Sequence, residues 1–194
     1  MISNLRFAFL IAFLGAAVAC QKPVKPGVAP APFPSDSLKQ EGRAITTRLA
    51  DSLLLRVKTA RAEGGVSRAV DVCKIEAAGI HAAVSSRFNV SIKRTALKVR
   101  NPLNAPDSLE LALLRYFEQQ RSSGALLTDT VIAAPTGPRY FRPIVLLDAC
   151  RACHGNPETE ITPADLAVIR AAYPDDQATG FAPGDVRGLF SVRF

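Results

Sequence analysis

Cys150, Cys153 and His154 lie in the stretch "LLDACRACHGNPE" and spell C-x-x-C-H. Two thiols three residues apart, followed at once by an imidazole, suit covalent attachment of a c-type haem. The sulfurs add to the vinyl groups and the histidine takes one axial position on the iron. The same residues also admit a redox dithiol, with a Cys150–Cys153 disulfide, or half of a zinc site. His154 directly after the pair favours haem over the dithiol. The spacing to Cys73 or His81 resembles no common structural zinc pattern. One haem c per chain is therefore expected. An electron-transfer haem usually takes a second axial ligand, often Met or His. The one methionine here is Met1 and the one other histidine is His81.

The stretch "VSRAVDVCKIEAAGIHAAVSSRF" carries two candidates for that ligand, Cys73 and His81. Its apolar spacing predicts a helix. On a wheel of about 100° per residue centred on Cys73, the residues Ala69, Ala77, Ile80 and Val84 all fall close to it. Cys73 then lies mid-stripe, and His81 lies near the edge of the buried face. A ligand has to project into a dry pocket, so the wheel favours Cys73. Three alternatives stay open. His81 can be the ligand; the site can be open and bind a small gas; or Cys73 can be an ordinary small core side chain.

Other elements must position these residues. Leu38, Ile45, Leu49, Leu53 and Val57 recur at helical spacing, and Gly64-Gly65 ends that helix. "SIKRTALKVR" reads as a strand, and "NPLNAPDS" as a turn. Asp107 and Glu110 predict a capping box for "SLELALLRYFEQQRSSG", with Leu109, Ala112, Leu113, Tyr116 and Phe117 as its buried stripe. "ALLTDTVIAAP" and "RYFRPIVLLD" read as neighbouring strands separated by "TGP". "TPADLAVIRAAY" is a short helix with Thr162 as N-cap and Pro163 at its first position. "DVRGLFSVRF" is a last strand. This order predicts an α+β fold, an antiparallel sheet with its helices on one side.

The N-terminus reads as a targeting segment. Residues 1–19 hold Arg6, an apolar run and then small residues, the pattern of a signal peptide. That run is short for a membrane span, which needs roughly 20 residues. Cys20 follows "AVA" and suits lipidation, although Ala17 stands where the lipoprotein pattern prefers Leu. Residues 20–35 form a Pro-rich tether, and residues 36–194 a single domain. The expected location is the periplasm, tethered to the membrane through Cys20. With Cys20 lipidated and two thiols on haem, Cys73 is the one cysteine left to explain. The chain is 48% hydrophobic with a net charge of +7. Its basic residues are scattered, which suits a solvated surface or a docking face for an acidic redox partner. Export excludes nucleic acid as a partner.

Four separated stretches carry a family resemblance: "AVDVCKIEAAGI", "RTALKVRNPLNAPDSLE", "CRACHG" and "YPDDQATGFAPGDVRGLFSV". The chain resembles the exported c-type haem domains with a PAS-like core, long catalogued as a domain of unknown function. The likeness spans about residues 36–194. It implies a PAS-like antiparallel sheet with flanking helices and a covalently attached haem, its iron held by Cys73 and His154. The family often shows Ala-Pro after the ligand cysteine, where this chain has Ala78-Gly79. The resemblance also suggests that Arg94, Arg100 and Asn101 hold the haem propionates or brace the Asn-Pro turn. The expected function is electron transfer by a single-haem cytochrome, with no enzymatic activity. The alternative is a redox or gas sensor that acts through a separate partner.

Overall fold

The computed structural model describes residues 35–194. The signal peptide, Cys20 and the tether up to residue 34 lie outside the described residues. Ser35 is the first residue of helix α1, Ser35–Asp71. Gly64 and Gly65 break this helix with non-helical backbone angles. Gly65 sits at φ +66, a left-handed conformation that glycine adopts without a side-chain penalty. The chain then passes through a π-helical turn, Val72–Glu76, into α2, Ala77–Phe88. Asn89 closes α2 in the left-handed conformation.

Four strands follow: β1, Ser91–Thr95; β2, Thr130–Ala134; β3, Gly137–Val145; and β4, Val186–Arg193. They form one antiparallel sheet in the order β1-β4-β3-β2. β2 and β3 pair as the expected hairpin. β1 is shorter than its sequence suggests. Its pairing stops at Thr95 opposite Leu189, just short of a bulge in β4. There Ile144 faces Gly188 and Val145 faces Val186, so Arg187 is the extra residue. Gly188 matters at this point, because a Cβ on it would run into the Thr95 carbonyl.

Helices cover both faces of the sheet, not one. Tyr140, Phe190 and Val192 pack with Ile45, Leu49 and Leu53 of α1 and with Ala77 and Val84 of α2. Phe141, Val186 and Leu189 pack on the opposite face with Leu113, Leu114 and Phe117 of α3, Ser108–Ser122. Adjacent residues of a strand point to opposite faces. Tyr140-Phe141 and Leu189-Phe190, apolar side by side, therefore require cover on each.

The Asp107–Glu110 capping box of α3 is present, with both backbone bonds at 2.9 Å. Its buried stripe is Glu110, Leu113, Leu114 and Phe117. Tyr116 and Ala112, expected in that stripe, are exposed. The whole stripe is rotated because Glu110 turns inward to meet Arg139. α5, Pro163–Ala172, starts at Thr162, whose hydroxyl accepts from Asp165 N at 3.1 Å. Its Ile169, with Ile161 and Tyr173, packs on Val66 and Val70, beyond the glycine break in α1. Among the described residues, no helix is long and apolar enough to cross a membrane.

Candidate functional site

The C-x-x-C-H stretch is helical. A 3-10 turn, Asp148–Cys150, runs straight into α4, the single turn Arg151–His154. Residues three and four apart share one helical face, so Cys150, Cys153 and His154 project on the same side. Cys150 packs beside Leu146, Ala178 and Phe181. Cys153 packs beside the Val66, Val70 and Ile169 cluster. The two thiols are therefore set against different apolar walls, and both are free. Among the described residues, no group of three or more His, Cys, Asp or Glu side chains can hold a metal ion by itself.

The turn is fastened from several sides. Gly155 N donates to Arg151 O at 2.7 Å, and Gly180 N donates to Gly155 O at 2.7 Å. A Cβ on Gly155 would collide with the Arg151 carbonyl and with Glu160. Arg151 pairs with Glu160 and Asp148, and the Glu160 carboxylate also accepts from Asn156 N at 2.7 Å.

His154 Nδ1 lies 2.7 Å from the carbonyl oxygen of Ala178. A carbonyl accepts, so Nδ1 carries the hydrogen and the lone pair sits on Nε2. This second partner fixes the tautomer that a metal-binding imidazole needs. Arg187 Nε stands 3.3 Å from the same Nδ1. Both are then N–H groups, so this is a contact and not a hydrogen bond. Burial first, then the charges of Arg187 and Arg100, push the imidazole pKa well below its usual value. The ring is neutral at pH 7, as a ligand must be.

Cys73 lies on the π-helical turn. It is exposed, and Val72 is the residue that enters the core, at 0% exposure. This corrects the wheel, which assumed a constant step. A π turn holds one residue more, so it rotates the residues after it relative to those before it. Cys73 nonetheless faces a crowded place. Desolvation pushes its thiol pKa up, while Arg94, Arg100 and Arg187 pull it down. Its chain neighbour Lys74 lines a cleft of about 240 Å³ together with Arg100, Tyr173 and Asp175 among others. Tyr173, which lines this cleft, packs in the same apolar cluster as Cys153. His81 is half-buried on α2, bonds the Ile92 backbone, and is lowered to about 4 by burial and then by Arg94.

Three arginines converge here, and their partners differ. Arg100 grips Asp176 with two bonds, at 3.0 and 2.9 Å, and reaches Cys153 O at 2.6 Å. It braces the motif. Asn101 caps the next turn by accepting from Leu103 N at 3.0 Å. Arg94, on the β1 face toward α1 and α2, has a buried Nε with no hydrogen-bond partner. Arg187, placed by the β4 bulge, donates to Lys98 O at 3.2 Å and lies over the Phe181 ring. Burial, then neighbouring Arg100, lowers its pKa to about 10. It remains charged at neutral pH but poorly solvated. Sequence reasoning missed Arg187. The signal available was the Arg-Gly pair inside an otherwise apolar strand, which suggests a bulge.

The family model described as Tll0287-like matches residues 22–194. Among solved structures, the crystal structure of the cyanobacterial heme-protein Tll0287 is similar, with 26% sequence identity and a TM-score of 0.56. That likeness covers 80% of this chain and 94% of that one. No curated protein matches.

Proposed function

Because this chain belongs to the Tll0287-like family, we propose that it is a haem protein whose task is electron transfer. In this reading Cys150 and Cys153 would carry one haem c, and His154 and Cys73 would hold its iron. The observation that carries it is the C-x-x-C-H turn, with His154 fastened through Nδ1 to Ala178 and left free to donate through Nε2. The buried, unpartnered Nε of Arg94 supports it further, because a group with acidic edges belongs beside it. So does the likeness to Tll0287, a heme-protein.

When bound, the haem would supply a one-electron couple, and ligation by Cys73 and His154 would set its potential below that of a His/Met haem. The chain's own residues do the rest. The apolar walls behind Cys150 and Cys153 set the two attachment points, and Arg100 holds the backbone between them. Ala178 orients the imidazole, and the π-helical turn presents Cys73. No catalytic residue is assigned. The reading extends to a PAS-like sheet, periplasmic location, a lipid anchor at Cys20 and docking of an acidic redox partner. Support for the last three comes from residues 1–34 and the net charge.

A second reading is haem-based sensing through a separate partner. It is favoured by the exposed place of Cys73 on a π-helical turn, an element that often marks functional adjustment. Carbon monoxide binding to the ferrous protein separates the two: fast and complete binding favours sensing, and none favours electron transfer.

The deciding experiment is co-expression with a haem-attachment system, followed by mass and ferric low-temperature EPR spectra. Wild type is expected to carry one covalent haem that Cys150→Ala/Cys153→Ala loses. It is also expected to show a low-spin thiolate signal that Cys73→Ala loses and His81→Ala keeps. A chain that takes no haem would sink the reading. A signal lost in His81→Ala instead would move the far ligand to that residue.

A further inference from the structure

We propose that Arg94 and Arg187 form a paired seat for the two carboxylates of the bound haem, and that Arg100 takes no part in it. This rests on the haem reading. Three guanidinium groups gather at the C-x-x-C-H turn: Arg187 Nε stands 3.3 Å from His154 Nδ1, Arg100 reaches Cys153 O at 2.6 Å, and Arg94 faces Phe190 across the β1–β4 pairing, three residues from Arg187. Arg100 already holds the nearby Asp176, itself 3% exposed, by a two-pronged ion pair. Two positive charges are left over.

Among the described residues neither forms an ion pair, and their settings differ. The Arg94 Nε is buried without any hydrogen bond, so it loses water without gaining a partner. The other such atom among the described residues is Arg139 Nε, but there the remaining nitrogens bind Asp107, Glu110 and Ser191. Arg187 meets a carbonyl, an imidazole and an aromatic face. A β-bulge is spent on turning it there. Poorly solvated like charges repel, and a dianion between them removes that cost. A guanidinium fork matches a carboxylate with two parallel bonds.

The test uses two probes, haem and its dimethyl ester, which differ in their carboxylate charge. Each is titrated into the chain carrying Cys150→Ala and Cys153→Ala, so that binding is reversible. Haem is expected to bind at least about tenfold more tightly than the ester, the size of one charge-assisted hydrogen bond. Arg94→Gln or Arg187→Gln is expected to cut that preference severalfold, and both together to bring it near one. Arg94→Lys, which keeps the charge and the fold, is expected to retain part of it. In the covalent holoprotein the same Gln variants are expected to shift the propionate-bending bands in resonance Raman spectra. A preference for haem that both Gln variants leave intact overturns the assignment. So does a wild-type site indifferent to esterification. If neither probe binds and no haem attaches to the wild-type chain, the haem reading itself fails.

Discussion

The sheet and the region around the C-x-x-C-H turn handle buried charge in opposite ways. Under the sheet, Glu110 is fully buried, yet it accepts from Arg139 at 2.7 Å, from Lys93 at 2.8 Å and from Asp107 N at 2.9 Å. Asp129 likewise accepts from Tyr140 at 2.8 Å and pairs with Arg43. Burial alone would raise the Asp129 pKa, but Arg43 and Tyr140 hold it below the usual carboxylate range. Around the C-x-x-C-H turn only Arg100 of three arginines holds a carboxylate, and the Arg94 Nε is left unmet. Matched charge holds a scaffold in one arrangement. Unmatched charge at a concavity marks a place where something else is meant to bind.

The most damaging change should fall in the matched region. Glu110→Ala takes from buried Arg139 one of its two carboxylates, leaving Asp107, strands Lys93, and removes half of the capping box. It is expected to cost about 3–5 kcal/mol in urea unfolding. The geometry around His154 should survive in whatever fraction stays folded. A loss under about 1 kcal/mol would contradict a scaffold role for this pair.

Gly155→Ala should be next. The new methyl group meets the Arg151 carbonyl and Glu160, and such overpacking costs about 1–3 kcal/mol. Covalent haem per chain should fall with it, because α4 and the Ala178 loop lose their register. Unchanged haem content and stability would mean that the turn tolerates a looser packing than these contacts require.

The third change is in pH. Folding holds His81 neutral down to about pH 4, whereas in an unfolded chain it takes up a proton near 6.5. Stability should therefore fall as pH drops from about 6.5 to 4, with no further His81 contribution below that. One proton sets a slope of at most about 1.4 kcal/mol per pH unit. Thermal melts of the haem-free chain, beside His81→Gln, should show a shallower decline in the variant. His154 adds a decline of the same sign in both.

Cys73→Ala should be the mildest. The side chain is exposed and fills no core position, so stability should change by less than about 0.5 kcal/mol. Its spectroscopic effect in the haem-loaded protein should nevertheless be complete. A large stability loss with an unchanged EPR signal would return Cys73 to a packing role.

Local sequence carried much of this. Gly64-Gly65 as a helix break, the Asp107–Glu110 box, the Thr162 cap and the β2–β3 hairpin each depend on a few adjacent residues, and each is present. Cys150, Cys153 and His154 share one face for the same reason: their spacing becomes a shared direction once that turn is helical. The features that the pattern could not carry were longer in range. Helices on both sheet faces follow from which elements compete to cover Tyr140 and Phe141. The π-helical turn at Cys73 and the bulge at Arg187 each insert one residue into a regular period, so a wheel or an alternation read through them goes astray. Which arginine is committed and which is left over depends on Asp176 arriving from a loop 76 residues away from Arg100. The types and spacing of residues determined the chemistry available to this chain. Tertiary packing decided which charges were cancelled and which were left to meet a ligand, because partners distant in sequence meet only after folding.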